Sequence, residues 1–244
     1  MGRFLNQVSS SPTMVPHGQT LAVSRPRTAS FGHRIDRLRQ RLKKPLPGRS
    51  AHMVMSPSRR TYVTVESARR MGCREAGTLA LLFPVDGAAS TVLTLRSGEL
   101  TEHAGQVSLP GGQMVVGERV IDCACREAAE ELGLAADGLE LVGGLTPLYV
   151  PPSGYCISPV VAAVPARPRF TPQPAEVAEV FEVELDRLVD GSLRSVETKA
   201  EGDEVREIPR YTVGTHIVWG ATAMILAELA QVWRESIDGE NRLQ

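Results

Sequence analysis

Arg126, Glu127, Glu130 and Glu131 fall within six residues of the stretch 112–134, GQMVVGERVIDCACREAAEELGL. Offsets of three and four place the three glutamates on one face of a helix. Like charges so placed repel one another unless a positive charge sits among them. An oxygen-rich cluster of this kind suits a hard divalent cation, Mg²⁺ or Mn²⁺. Arg126 stands four residues before Glu130 and can hold a carboxylate in place.

The flanking residues set the element that carries this cluster. Gly133 is a helix stop, and Pro110-Gly111-Gly112 before it is a tight turn where backbone can approach a phosphate or metal closely. The spacing predicts a helix from about 119 to 132. Segments 78–84 (TLALLFP) and 91–95 (TVLTL) read as strands joined by the turn Asp86-Gly87. Segments 139–148 and 155–164 read as further strands, with a Pro-Pro-Ser-Gly loop between them. A polar loop at 201–203 sits among expected hairpin strands in 193–218, and 221–234 reads as the closing helix. Strands alternating with two main helices predict an α/β fold, a mixed β-sheet covered on both faces as an α/β/α sandwich.

The pattern Gly, five residues, Glu, seven residues, Arg-Glu, apolar, any, Glu-Glu, any, Gly, apolar is that of the Nudix box. Gly112, Glu118, Arg126, Glu127, Ala128, Glu130, Glu131, Gly133 and Leu134 fit it without departure. The chain therefore resembles the Nudix hydrolase superfamily, which implies the same α/β/α sandwich. The resemblance implies that Glu127, Glu130 and Glu131 bind Mg²⁺ or Mn²⁺, with one of them acting chiefly as base toward water. Glu130 and Glu131 are favoured as the main ligands. Arg126 would orient Glu127, the Gly111 carbonyl would complete the coordination shell, and Glu118 would act structurally or in the outer sphere. Glu176 offers a further carboxylate from a later loop.

The segment before the box, LTLRSGELTEHAGQVSLPGG at 93–112, resembles that of the coenzyme A pyrophosphatase group of the superfamily. Leu93, Thr94, Arg96, Ser97, Gly105, Pro110, Gly111 and Gly112 match, as do His103 and Gln106 of an H-x-G-Q pattern. Thr101 stands where that group has Arg, and Leu109 where it has Phe. The resemblance covers about 75–230 and implies a coenzyme A-like substrate, gripped by Arg96, Ser97, His103, Gly105 and Gln106. Products would be 4′-phosphopantetheine and adenosine 3′,5′-bisphosphate. An alternative substrate is ADP-ribose or another nucleoside diphosphate derivative. An alternative of another class is a catalytically silent ligand-sensing module, against which the intact carboxylate set argues.

Charge is unevenly spread along the 244 residues. Residues 1–75 carry a balance of +12 and residues 76–244 one of −13, within a net charge of −1. The acid-free stretch 1–30 reads as a flexible tail. Residues 31–75 read as a basic helical extension whose stripe Phe31, Ile35, Leu38 and Leu42 is expected to pack on the chain's own domain. Residues 76–235 form the expected hydrolase domain and 236–244 a C-terminal tail. The four cysteines show no CxxC spacing, so a zinc site is not expected, and nothing in them suggests an oxidising compartment. With no signal-like or membrane-long apolar run, a cytoplasmic enzyme with no membrane partner is expected. The expected partner is the small-molecule nucleotide. Nucleic acid is the weaker reading of the basic segment, and a homodimer is left open.

Overall fold

The computed structural model describes residues 30–58, 62–99, 103–135, 138–201 and 204–238. The tail at 1–29 and Thr101 lie outside them. Three helices come first: α1 (Phe31–Leu42), α2 (Arg49–Met53) and α3 (Val65–Arg70). Strands β1 (Arg74–Val85), β2 (Ala88–Arg96), β3 (Val107–Ser108) and β4 (Gly111–Gln113) lead into α4 (Val120–Leu132). Strands β5 (Glu140–Gly144), β6 (Leu148–Val150), β7 (Tyr155–Ala163) and β8 (Val177–Glu184) follow, then α5 (Leu185–Val189). The chain closes with β9 (Arg194–Glu201), β10 (Glu204–Val213), β11 (His216–Trp219) and α6 (Gly220–Asp238).

Strands β1 to β8 make one mixed sheet, in which β1 pairs parallel with β7 and every other pairing is antiparallel. β1 is central and buried on both faces, which is why it reads as an unbroken apolar run rather than an alternating one. Its Leu79, Leu81 and Phe83 pack with Ala124, Ala128 and Leu132 of α4 on one face. Ala80 and Leu82 belong to the other core, shared with α1, α5 and α6. This is the expected sandwich. Asp86 and Gly87, both at positive φ, close the β1–β2 hairpin, as an Asp-Gly pair between two strands favours. β9, β10 and β11 form a separate antiparallel sheet of three strands.

The basic extension lies on the domain. Ile35 and Leu38 of α1 are buried in the α6-side core, each a gain of about 1.5–3 kcal/mol for a full side chain. Its arginines are drawn off to acids: Arg34 to Asp186 (2.8 Å), Arg41 to Glu235 (2.6 Å), and Arg39 to Glu140. Deeper, α2 is tied to α6 by His52 and Glu228, both fully buried and 3.0 Å apart. Glu228 also accepts from Gly48 N, Thr146 N and Thr146 Oγ1. Burial works against its charge, but the bonds from His52 and Thr146 hold its carboxyl below the usual range.

Three sequence expectations are corrected. The single strand expected at 139–148 is broken into β5 and β6. Gly143 meets Leu42 of α1, and the Thr146 backbone turns aside to Glu228. α6 runs on to Asp238, past the expected end of the domain at 235, with Ser236 still buried. Cys73 and Cys156 are joined in a disulfide, their Cα atoms 5.9 Å apart, although cysteine usage points to no oxidising environment. The parallel register of β1 and β7 brings together two residues separated by 83 in sequence, which spacing cannot reveal.

Candidate active site

α4 carries the carboxylates, and its position is set at both ends. Gly133 caps it in the left-handed conformation (φ 62°), its N–H donating to Ala129 O. The turn into β4 is closely packed beneath it. A Cβ on Gly112 would collide with the Glu127 carboxylate, and one on Gly111 with the Gly77 carbonyl. Only glycine admits so close an approach of backbone to these side chains.

Arg126 gathers the glutamates as the sequence predicts. It donates to Glu118 Oε1 (2.8 Å), Glu127 Oε1 (2.6 Å) and Glu130 Oε2 (3.2 Å). Glu118 also accepts from Val115 N. The Arg126 hydrogen bond, with that backbone N–H, holds the Glu118 carboxyl down at about 2. The Arg126 guanidinium is raised by the same pair of acids, Glu118 and then Glu127.

Glu127 and Glu131 lie differently. Burial pushes Glu127 up, against the pull of Arg126. Glu131 is 2% exposed, and burial pushes it to about 7. The Gly111 N–H, 3.3 Å from Oε2, and the Arg96 charge, 3.7 Å from Oε1, pull the other way. The charges of Glu127 and Glu176 add to the rise in Glu131. Two carboxylates buried against their own charge form a donor set that favours a cation.

These groups open on a cavity of about 660 Å³. Of the sequence-predicted residues, Arg96, His103, Gln106, Gly111, Glu127, Glu131 and Glu176 line it. Five do not, among the described residues, the first being Arg126, which is turned to the glutamates it binds. Glu130 is more than half exposed and held by Arg126, away from the wall. Glu118 is held behind Arg126. Ser97 is buried, its N–H bonded to Glu176 O and its hydroxyl to Glu99 N. Gly105 donates to Arg96 O and takes a positive φ (67°), closing the loop that presents His103 and Gln106. Ser97 and Gly105 therefore shape the wall rather than form it. His103 Nδ1 and Gln106 Oε1 lie 3.0 Å apart. Thr78 Oγ1 and Arg96 Nε, both from wall residues, are buried with no hydrogen-bond partner among the described residues.

Sequence reading missed the far wall. It comes from Pro57 of the extension, Val150 to Ser153, Tyr155, Ile157, Arg206, Trp219 and the first turn of α6. The loop at 150–154 was visible only as a connection between strands, and no spacing ties it to the box.

Known proteins are similar to this chain. A family model described as NUDIX domain matches residues 74–203. The uncharacterized Nudix hydrolase NudL of Photorhabdus laumondii is 35% identical over 156 residues, covering 62% of this chain and 82% of its own length. The protein of the same name from Pectobacterium atrosepticum is 37% identical over 157 residues, covering 62% and 80%. Among solved structures, the Nudix hydrolase RenU of M. smegmatis matches with a TM-score of 0.45 at 19% identity, over 70% of this chain and 88% of its own. With the family model spanning more than half of its residues, and with the box glutamates and glycines assembled at one end of α4, this chain belongs to the Nudix hydrolase family.

Proposed function

We propose that the chain is a metal-dependent pyrophosphohydrolase of coenzyme A or its derivatives, releasing 4′-phosphopantetheine and adenosine 3′,5′-bisphosphate. The observation that carries the reading is the meeting, in one cavity, of buried carboxylates from the box with Arg96, His103 and Gln106 from the segment before it. The donor set fits Mg²⁺ or Mn²⁺. It is all oxygen, from Glu127, Glu131, Glu176 and the Gly111 carbonyl, and its two box acids lie buried against their own charge. When bound, such an ion supplies Lewis-acid polarisation of phosphoryl oxygens and of water.

The chain's own residues have distinct parts. Glu127 and Glu131 line the cavity and are taken as ligands, while Glu130, expected with Glu131 as a main ligand, is not among the lining residues. Glu127, held by Arg126 at 2.6 Å, is aimed by that contact and also suits the role of base toward water. Glu130 and Glu118 hold Arg126 in turn and act as positioning residues. Arg96, 3.7 Å from Glu131, stands where it can meet the pyrophosphate beside the acids. His103 and Gln106 offer polar contacts at the same wall.

The test is a substrate panel at fixed Mn²⁺ and Mg²⁺, with products identified by mass. Coenzyme A compounds are expected to exceed ADP-ribose, dinucleoside polyphosphates and nucleoside triphosphates in kcat/KM, and EDTA is expected to abolish turnover. Faster cleavage of ADP-ribose or of a nucleoside triphosphate would leave the family standing and reject the substrate.

A further inference from the structure

The cavity is larger than its charged groups require. Its volume of about 660 Å³ is that of a site for a whole drug-sized molecule, while Arg96, Glu127, Glu131 and Glu176 occupy only part of the wall. The strand register locates the remainder. Thr78 of β1 lies opposite Gly111, and Ala76, two residues earlier, lies between Gln113 of β4 and Ile157 of β7. Beyond β7, Tyr155 is opposite Val150 of β6. Moving from Gly111 across the sheet thus leads away from the acids to Ile157, Tyr155 and Val150. β11 and α6 add Trp219, Ala221 and Ile225 to the same cavity.

This part of the wall is mostly apolar, with Arg206 the one charged side chain among its described residues. Each hydroxyl on it already donates its proton within the protein: Tyr155 to Gln113 Oε1 (2.8 Å), Thr222 to Val107 O (3.0 Å) and Ser153 to Val150 O (3.3 Å). A nucleobase can stack on an aromatic face but has its edge read by hydrogen bonds, whereas an alkyl chain needs only apolar area. Trp219 is 47% exposed, a large aromatic surface left to solvent beside a cavity. Pro57, Trp219, Ala221 and Ile225 all lie outside the 74–203 range of the family model. The apolar wall is therefore completed by residues outside the matched range.

We propose that this wall is an acyl subsite, so that the enzyme prefers acyl thioesters of coenzyme A to the free thiol, with Trp219 and Ile225 as specificity-determining residues. The inference rests on the proposed coenzyme A reading. In that arrangement the pyrophosphate lies at Arg96 and the box acids, and the pantetheine arm leads its acyl end into the part of the cavity lined by Ile157, Val150, Ile225 and Trp219.

The test uses the full chain with coenzyme A and its acetyl, hexanoyl and decanoyl thioesters, under Mn²⁺ for turnover and in EDTA for binding. The chain has two tryptophans. Trp233 is fully buried, so ligand-dependent emission reports Trp219. The kcat/KM is expected to rise at least about tenfold from coenzyme A to the hexanoyl thioester, a modest share of the roughly fourfold per methylene that full burial allows. A blue shift of emission is expected with the longer chains. Trp219→Ala should collapse the hexanoyl-to-free ratio toward one. Pro152→Asp, at an exposed residue of the cavity rim, should lower that ratio without touching the core. Equal kcat/KM for free and acylated compounds overturns the subsite while the coenzyme A reading stands. So does a ratio unmoved in both variants, or emission that answers adenosine 3′,5′-bisphosphate and ignores the acyl chain. Cleavage of another diphosphate with neither coenzyme A nor its thioesters turned over overturns both.

Discussion

Replacing Glu131 by Gln removes one charge from a side chain that is 2% exposed and keeps its shape. The folded protein holds this carboxyl at about 7, against 4.5 for the ordinary group, chiefly because it is buried. At about 1.4 kcal/mol per pH unit the full displacement corresponds to about 3 kcal/mol. A raised carboxyl costs stability as pH rises. Below 4.5 it is protonated in folded and unfolded chains alike and there is no penalty. Between 4.5 and about 7 the unfolded chain releases its proton while the folded one retains it, so stability falls. Above about 7 the deficit is constant. Glutamine carries no such term. Any misfit of its amide against Arg96 is the same at every pH, so the comparison across pH isolates the charge. In EDTA, the stability of Glu131→Gln relative to wild type should therefore rise by about 2–3 kcal/mol between pH 5 and pH 8. At the usual 2–4 °C per kcal/mol for a chain of this size, that is about 5–10 °C in the difference of the two Tm values. Thermal melts in matched buffers measure it. Turnover under Mn²⁺ should collapse in the same variant. A Tm difference that does not change between pH 5 and pH 8 would refute the argument that burial, uncompensated by Arg96 and the Gly111 N–H, dominates this group. Full activity of the variant would remove Glu131 from the mechanism.

Three further outcomes are expected. Arg96→Ala should depress kcat/KM for coenzyme A and 3′-dephospho-coenzyme A equally, by about ten- to hundredfold, because Arg96 lies 3.7 Å from Glu131. A narrowed gap between the two substrates would place Arg96 on the 3′-phosphate instead. His52→Ala should cost about 3 kcal/mol or more, since it leaves the buried Glu228 carboxylate short of one partner; a Tm within a degree or two of wild type would show the tie to be dispensable. Deleting residues 1–29, which spares Ser30 and its cap on α1, should leave both Tm and turnover nearly unchanged, and a large loss of either would show that the segment docks.

The chemistry of the site was readable from local sequence because a helix converts spacing directly into direction. Glu127, Glu130 and Glu131 must share a face, Arg126 must reach Glu130, and Gly133 must end the helix, whatever the rest of the chain does. The central strands were readable for a related reason: a strand buried on both faces reads as a nearly unbroken apolar run, so 78–84 announces itself. Local spacing does not say how far from solvent each member of one helical face will lie. Glu131 is sealed under Gly111 and Arg96 while Glu130 stays more than half exposed, and that difference comes from where β4 and Arg96 lie against α4. The same holds for contacts made across long separations. Nothing in 45–58 predicts that His52 will meet Glu228, nor in Cys73 that it will meet Cys156, because each pairing depends on the docking of whole elements. The far wall of the cavity is the extreme case. Pro57, Val150 and Trp219 share no period and no motif, and they become neighbours of the box only when the extension, the loop after β6 and the small sheet close around one end of the large sheet.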